Sequence, residues 1–276
     1  MADTDDGDSA PIGVFDSGVG GLTVLRAIRE RLPRESLIYL GDTARLPYGT
    51  KSPRVVTRYA ERSARVLVER GVKMLVIACN TATAEALPHL ERVFAPLPVI
   101  GVVEPGAEAA CARSRSGHML VVATEGTVRS GAYRRAIEAR RPGAVVHSAP
   151  CSLFVALAEE GWVDGPIVEA VARRYLEPEL LEDPALDCVV LGCTHFPVLR
   201  DAIARVVGPA VELVDSAVTT ARVVADRLRS RGMSAPPANA AALSLMATDA
   251  PTRFARAGAV FLGAAISEDE VEVVDL

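Results

Sequence analysis

Val76-Ile77-Ala78-Cys79-Asn80-Thr81-Ala82-Thr83-Ala84 is an apolar run, a cysteine, and then small polar residues that open a helix-like segment. With Met74 and Leu75 ahead of it the run is continuously apolar, the pattern of a parallel strand covered on both faces. The pattern returns at Val189-Val190-Leu191-Gly192-Cys193-Thr194-His195-Phe196-Pro197, 114 residues further on. That interval is too long for a local repeat and suits one small domain. Open α/β sheets bind their ligands at the carboxyl ends of the strands. The expected fold is therefore α/β: two similar open parallel-sheet domains with pseudo-two-fold symmetry, each presenting one thiol to a cleft between them.

Outward from that stretch, Ile12-Gly13-Val14-Phe15 is a short strand, followed by Asp16-Ser17-Gly18-Val19-Gly20-Gly21 and a helix from about Leu22 to Arg31. Strand, glycine-rich turn and helix N-terminus make an anion-binding arrangement. The turn matches neither GxGxxG nor a Walker loop. Glycines alone would also suit a tight turn that needs positive φ; Asp16-Ser17 at the strand's end favours function. A second strand, Ser36 to Leu40, ends at Gly41-Asp42. Ser52-Pro53 opens a helix as N-cap and first-turn proline, and Gly71 stops it.

Further strands are expected over about 74–78, 99–102, 119–123, 145–149, 188–191, 211–214 and 242–247. Helices are expected to end near Phe94 and to span about 130–140, 152–160, 166–176 and 217–231. Alternation of strands and helices in both halves means parallel sheets. Glu104-Pro105-Gly106 breaks the pattern and marks a domain crossing. The expected domains are 1–104, with 217–276 returning to it, and 105–216. The first ten residues are expected to be a disordered tail, and the last to be a short helix with a ragged acidic end.

Composition narrows the function classes. Half the residues are hydrophobic and 24% charged, as in a soluble globular protein. No apolar run reaches membrane-spanning length. The start, Met1-Ala2-Asp3-Thr4-Asp5-Asp6, lacks the basic and apolar regions of a signal peptide, so the cytoplasm is expected. The net charge of −5 is concentrated at the ends, where Asp3, Asp5, Asp6, Asp8, Glu268, Asp269, Glu270, Glu272 and Asp275 lie. The rest carries 30 basic against 26 acidic residues, which suits a small anionic ligand. No dense basic block with interleaved aromatics argues for nucleic acid. The five cysteines include no CxxC and no Cys/His zinc spacing, so neither a metal site nor a disulfide framework is expected. Cys111 and Cys188 read as small core residues.

A lone cysteine after an apolar strand is more often structural than catalytic. Two, each at a strand end and each followed by Thr or Asn-Thr, suggest chemistry. A helix N-terminus behind each thiol would lower its pKa from ~8.5. His195, two residues beyond Cys193, could hold a proton or orient a carboxylate. Two thiols facing one ligand suit proton transfer at one carbon from both sides, which inverts a stereocentre with no cofactor. A single thiol nucleophile and a dithiol redox pair remain alternatives, although redox pairs usually carry CxxC.

These residues carry a resemblance. The chain resembles the glutamate racemases, of the aspartate/glutamate racemase superfamily, at Gly13-Val14-Phe15-Asp16-Ser17-Gly18-Val19-Gly20-Gly21-Leu22, Gly41-Asp42-Thr43-Ala44-Arg45-Leu46-Pro47-Tyr48-Gly49, Ala78-Cys79-Asn80-Thr81-Ala82, Glu104-Pro105-Gly106, Gly192-Cys193-Thr194-His195-Phe196-Pro197 and Val214-Asp215-Ser216. His195 after Cys-Thr points to the glutamate branch. The resemblance implies cofactor-independent, two-base interconversion of L- and D-glutamate. Cys79 would exchange a proton with the D-enantiomer, assisted by Asp16, and Cys193 with the L-enantiomer, assisted by His195 and Glu159. Asp16, Ser17, Tyr48, Gly49, Asn80, Thr81, Thr124, Thr194 and His195 would hold the substrate. The resemblance further implies D-glutamate for peptidoglycan synthesis and a homodimer.

The chain departs from the family at Ala123-Thr124-Glu125-Gly126-Thr127, and around Glu159, where two common prolines are missing and Glu160 is adjacent. A second role against DNA gyrase, as in some racemases, would call for a basic extension that the sequence does not carry.

Overall fold

The computed structural model describes residues 7–276. Its strands are β1 (Ile12–Asp16), β2 (Leu37–Gly41), β3 (Met74–Ile77), β4 (Val99–Gly101), β5 (His118–Ala123), β6 (Val145–Pro150), β7 (Cys188–Gly192), β8 (Glu212–Asp215), β9 (Leu243–Ala247) and β10 (Val271–Val273). Its helices are α1 (Leu22–Arg31), α2 (Pro53–Glu69), α3 (Asn80–Val93), α4 (Val103–Arg113), α5 (Glu125–Ser130), α6 (Ala132–Arg140), α7 (Leu153–Glu159), α8 (Pro166–Glu182), α9 (Arg200–Val207), α10 (Ala217–Ser230) and α11 (Pro251–Leu262).

The strands form two parallel sheets, one in the order β10-β9-β2-β1-β3-β4 and one in the order β6-β5-β7-β8. Four strands of the first, β2-β1-β3-β4, repeat the topology of the whole second sheet. β1 therefore corresponds to β5 and β3 to β7. In this order the switch point lies between β1 and β3, and again between β5 and β7. Cys79 and Cys193 follow the two equivalent strands β3 and β7. These central strands are buried along their whole length, which explains their unbroken apolar runs. After β8 the chain returns to the first sheet: α10 packs on α1 and α4, and β9 pairs with β2. Among the described residues no helix is long and apolar enough to cross a membrane.

Several expectations need correcting. Residues 1–6 of the expected tail lie outside the described residues. Residues 7–10 are not loose: the Asp8 N–H donates to the Ser234 carbonyl at 3.2 Å, and the Lys73 ammonium donates to the Asp8 carbonyl. Glu104-Pro105-Gly106 does not break the chain but lies in the first turn of α4, where a proline's missing N–H has no intrahelical partner to lose. The helix expected over 130–140 is α6, which starts at Ala132; ahead of it, where only a turn is expected, lies the short helix α5, set off by Gly131, whose φ is 66°. The short helix expected near the end is α11, but the acidic end after it is not ragged: it holds the edge strand β10, where Glu272 takes a two-pronged pair from Arg70 at 2.6 and 2.8 Å. A three-residue strand with two exposed positions leaves too little apolar pattern to read.

Candidate active site

Cys79 caps the N-terminus of α3. Its thiol donates to Ser17 Oγ at 3.4 Å and accepts the Ala82 N–H at 3.4 Å. The expected lowering of its pKa does not occur. Burial, with the Asp16 carboxylate adding to it, pushes the Cys79 thiol up to about 12; the Ser17 and Ala82 contacts act the other way and are outweighed. Asp16, at the end of β1, is fully buried. Burial raises its pKa against the His195 charge and the backbone N–H groups of the turn. Its Oδ2 accepts the Gly18 N–H at 3.0 Å and its Oδ1 accepts the Thr194 hydroxyl at 3.4 Å.

The β1–α1 turn thus turns N–H groups onto its own carboxylate. Gly18, Gly20 and Gly21 all avoid positive φ. Close approach is what requires glycine there: a Cβ on Gly20 would lie 2.5 Å from His195 Nδ1, and one on Gly21 2.5 Å from Asp16 Cβ.

On the second sheet, Cys193 Sγ lies 3.8 Å from His195 Nδ1. His195 Nε2 lies 3.2 Å from Glu159 Oε1, and Glu159 Oε2 accepts from Arg253 at 2.9 Å. The result is a chain of four residues from thiol to guanidinium. Burial pulls the His195 imidazole down, but hydrogen bonds to Cys193 and Glu159 and the charges of Cys193 and Asp16 prevail, pushing it up to about 10. Burial acts to raise Glu159, and its His195 and Arg253 partners more than reverse that. Glu160 is exposed at the end of α7, so Glu159 is the glutamate that meets His195.

Both thiols line one cavity of about 30 Å³. Around it stand Ser17, Tyr48, Gly49, Asn80, Thr81, Thr124, Thr194 and His195, together with Pro47 and Val155. Asp16 and Glu159 stand behind this lining, reaching it through Thr194 and His195. The Tyr48 hydroxyl is turned away, donating to the buried Asp42 carboxylate at 2.5 Å; Arg45 and Thr248 also donate to Asp42. The hydroxyls of Thr81, Thr124 and Thr127 form a triangle with edges of 2.9–3.1 Å that joins the two sheets' units. Asn80 Oδ1 accepts from Tyr133 at 2.7 Å, while its Nδ2 is buried with no partner.

A cavity of this size holds only a few waters. A second space of about 230 Å³ shares Pro47, Gly49, Thr124 and Val155 with it. A larger concavity of about 620 Å³, bordered by α7 and α8, is shallow and apolar and lies away from the thiols. Convergence of polar groups, not volume, identifies the site.

Asp42, Thr127, Tyr133 and Arg253 were missed by the sequence reading. Asp42 and Thr127 sit within quoted motifs at strand ends. Tyr133 and Arg253 lie inside helices with no local signature.

The sequence profile of the Asp/Glu/Hydantoin racemase family matches residues 12–224. The chain is 49% identical to a glutamate racemase of Geobacter metallireducens, over 93% of this chain and 94% of that one. The crystal structure of a Francisella tularensis glutamate racemase in complex with D-glutamate superposes with a TM-score of 0.89 at 35% identity, covering 97% of this chain and 98% of that chain. A Bacillus anthracis glutamate racemase isoform gives 0.90 at 36% identity, with the same coverage.

Proposed function

The chain is an enzyme of the Asp/Glu/Hydantoin racemase family, and from that premise we propose that it interconverts L- and D-glutamate by two-base proton transfer between Cys79 and Cys193. The observation that carries this reading is the pair of thiols, one from each of two topologically equivalent strand ends, lining a single cavity.

A thiolate on one side removes the α-proton. The resulting carbanion delocalises into the α-carboxylate, and the thiol on the other side delivers its own proton to the opposite face. The cycle ends with the protonation states of the two thiols exchanged. Cys193, backed by His195 and Glu159, faces the proton of L-glutamate; Cys79, backed by Asp16, faces that of D-glutamate. Donors fixed before the reaction stabilise the developing charge without reorganising, and the Asn80 amide and the threonine hydroxyls fill that role. Burial and the Asp16 charge favour the neutral thiol at Cys79, which suits it to donate a proton from that side. The bodies 1–104 with 217–276 and 105–216 act as halves that part to admit substrate, since the closed cavity is too small for it. The protein works in the cytoplasm as a homodimer, and its D-glutamate supplies peptidoglycan synthesis.

The test is incubation of the purified protein with L-glutamate in D₂O, with no cofactor and with EDTA present. D-glutamate carrying deuterium at Cα is expected. Inversion without solvent deuterium, or activity that EDTA abolishes and a metal restores, would overturn the two-thiol mechanism.

A further inference from the structure

Two motifs, Glu104-Pro105-Gly106 and Val214-Asp215-Ser216, lie where the chain passes from one sheet to the other and back, yet neither lines the cavity. They converge on one atom, the Tyr133 hydroxyl. A Cβ on Gly106 would lie 2.9 Å from that oxygen and 3.3 Å from Ser216 Cβ. On the ring's other edge, a Cβ on Gly192 would lie 3.1 Å from Tyr133 Cε2. Tyr133 is 2% exposed, and a Cβ at either glycine would crowd its side chain. Its ring therefore rests on the residue before Cys193, and its hydroxyl reaches Asn80, the residue after Cys79.

We propose that Tyr133 is a positioning residue that fixes the amide of Asn80 so that its Nδ2 faces a carboxylate of the bound substrate. A side-chain amide has an acceptor end and a donor end, and either could face the cavity. The Tyr133 hydroxyl donates to Oδ1, and Ser216 lies near the phenol. With Oδ1 occupied, the donor end is the one left without a protein partner. An N–H donor matches a carboxylate and repels an ammonium, so the orientation selects which substrate group binds there. The inference rests on the racemase reading above.

Tyr133→Phe removes only the hydroxyl. It should raise KM for L-glutamate on the order of 10-fold, the loss expected when a hydrogen bond to a charged group is weakened, while kcat changes less than about threefold and the melting temperature by a few degrees. Gly106→Ala should give the same split by pushing the hydroxyl aside, in a helix that gains propensity from alanine. Asn80→Ala should raise KM as well, and the Asn80→Ala/Tyr133→Phe double variant should be no worse than Asn80→Ala. KM within twofold of the wild type in both Tyr133→Phe and Gly106→Ala would overturn the proposal, as would losses that add in the double variant. A wild-type protein inert towards glutamate would overturn the racemase reading itself, and this inference with it, an outcome distinct from any difference among variants.

Discussion

Cys79 and Cys193 occupy equivalent strand ends but different surroundings. Burial, with Asp16 adding to it, keeps Cys79 protonated, whereas Cys193 sits beside an imidazole that holds its proton up to about pH 10. Inversion needs both faces of the α-carbon, so Cys79→Ala and Cys193→Ala should each abolish racemisation. The double variant should be about as inactive as either single one, as for residues acting as a unit. Near wild-type turnover by either alanine variant would make that cysteine structural. At the far end of the Cys193 chain, Arg253 is 54% exposed at the side chain, and ion pairs of exposed groups are worth little. Arg253→Ala should therefore lower kcat/KM by only ~3–10-fold. It should add nothing to Glu159→Gln, because its effect passes through that carboxylate. Steady-state kinetics of the two single variants and the double one decide this, and additive losses would count against the relay.

At the scale of elements, the β1–α1 turn is defined by what it must let close. Gly20 abuts Thr194 and His195 from the other sheet, and Gly49 abuts Thr124. Gly20→Ala should push the imidazole away from Cys193. An overpacked site of this kind costs about 1–3 kcal/mol, so the variant should fold, melt a few degrees lower and lose most of its activity. Unchanged activity would show that the imidazole's position is not critical. α4 illustrates a different lesson: a Pro-Gly pair that reads as a break is tolerated in a first turn. There the proline has no hydrogen bond to lose, and the glycine makes room for Tyr133.

The whole molecule should be destabilised by alkali. His195 holds its proton more tightly when folded, so its contribution is complete below the unfolded value near ~6.5 and is lost as pH rises towards 10. Cys79, Cys151 and Cys188 are pushed up to about 12, and they add to the loss once unfolded thiols begin to ionise near ~8.5. Melting temperatures recorded from pH 6 to 10 should fall throughout, and His195→Gln should flatten the part below about pH 8.5; an unchanged slope would remove His195 as the source. The sequence by itself determined the alternating elements, the parallel sheets and the turn at Cys79, because there an apolar run, a thiol and a helix start are contiguous and leave a local pattern; the helix expected directly behind Cys193 is instead a single 3-10 turn, Phe196–Leu199, ahead of α9. The sequence also carried the ten predicted residues that line the cavity, all of them at or just after strand ends, in the first turn of α3 or in the loop after β2. Beyond Asp16 and Glu159, which the motifs also carry, only the tertiary structure decided which side chains stand behind them. Tyr133 meets Asn80 across 53 residues of sequence and Arg253 meets Glu159 across 94. Both sit in helices whose periodicity reports burial and exposure but not the partner. It also decided that Cys79 is a protonated thiol, since burial and the nearness of Asp16 depend on how the sheets' ends close around the cavity, which no short stretch of chain encodes.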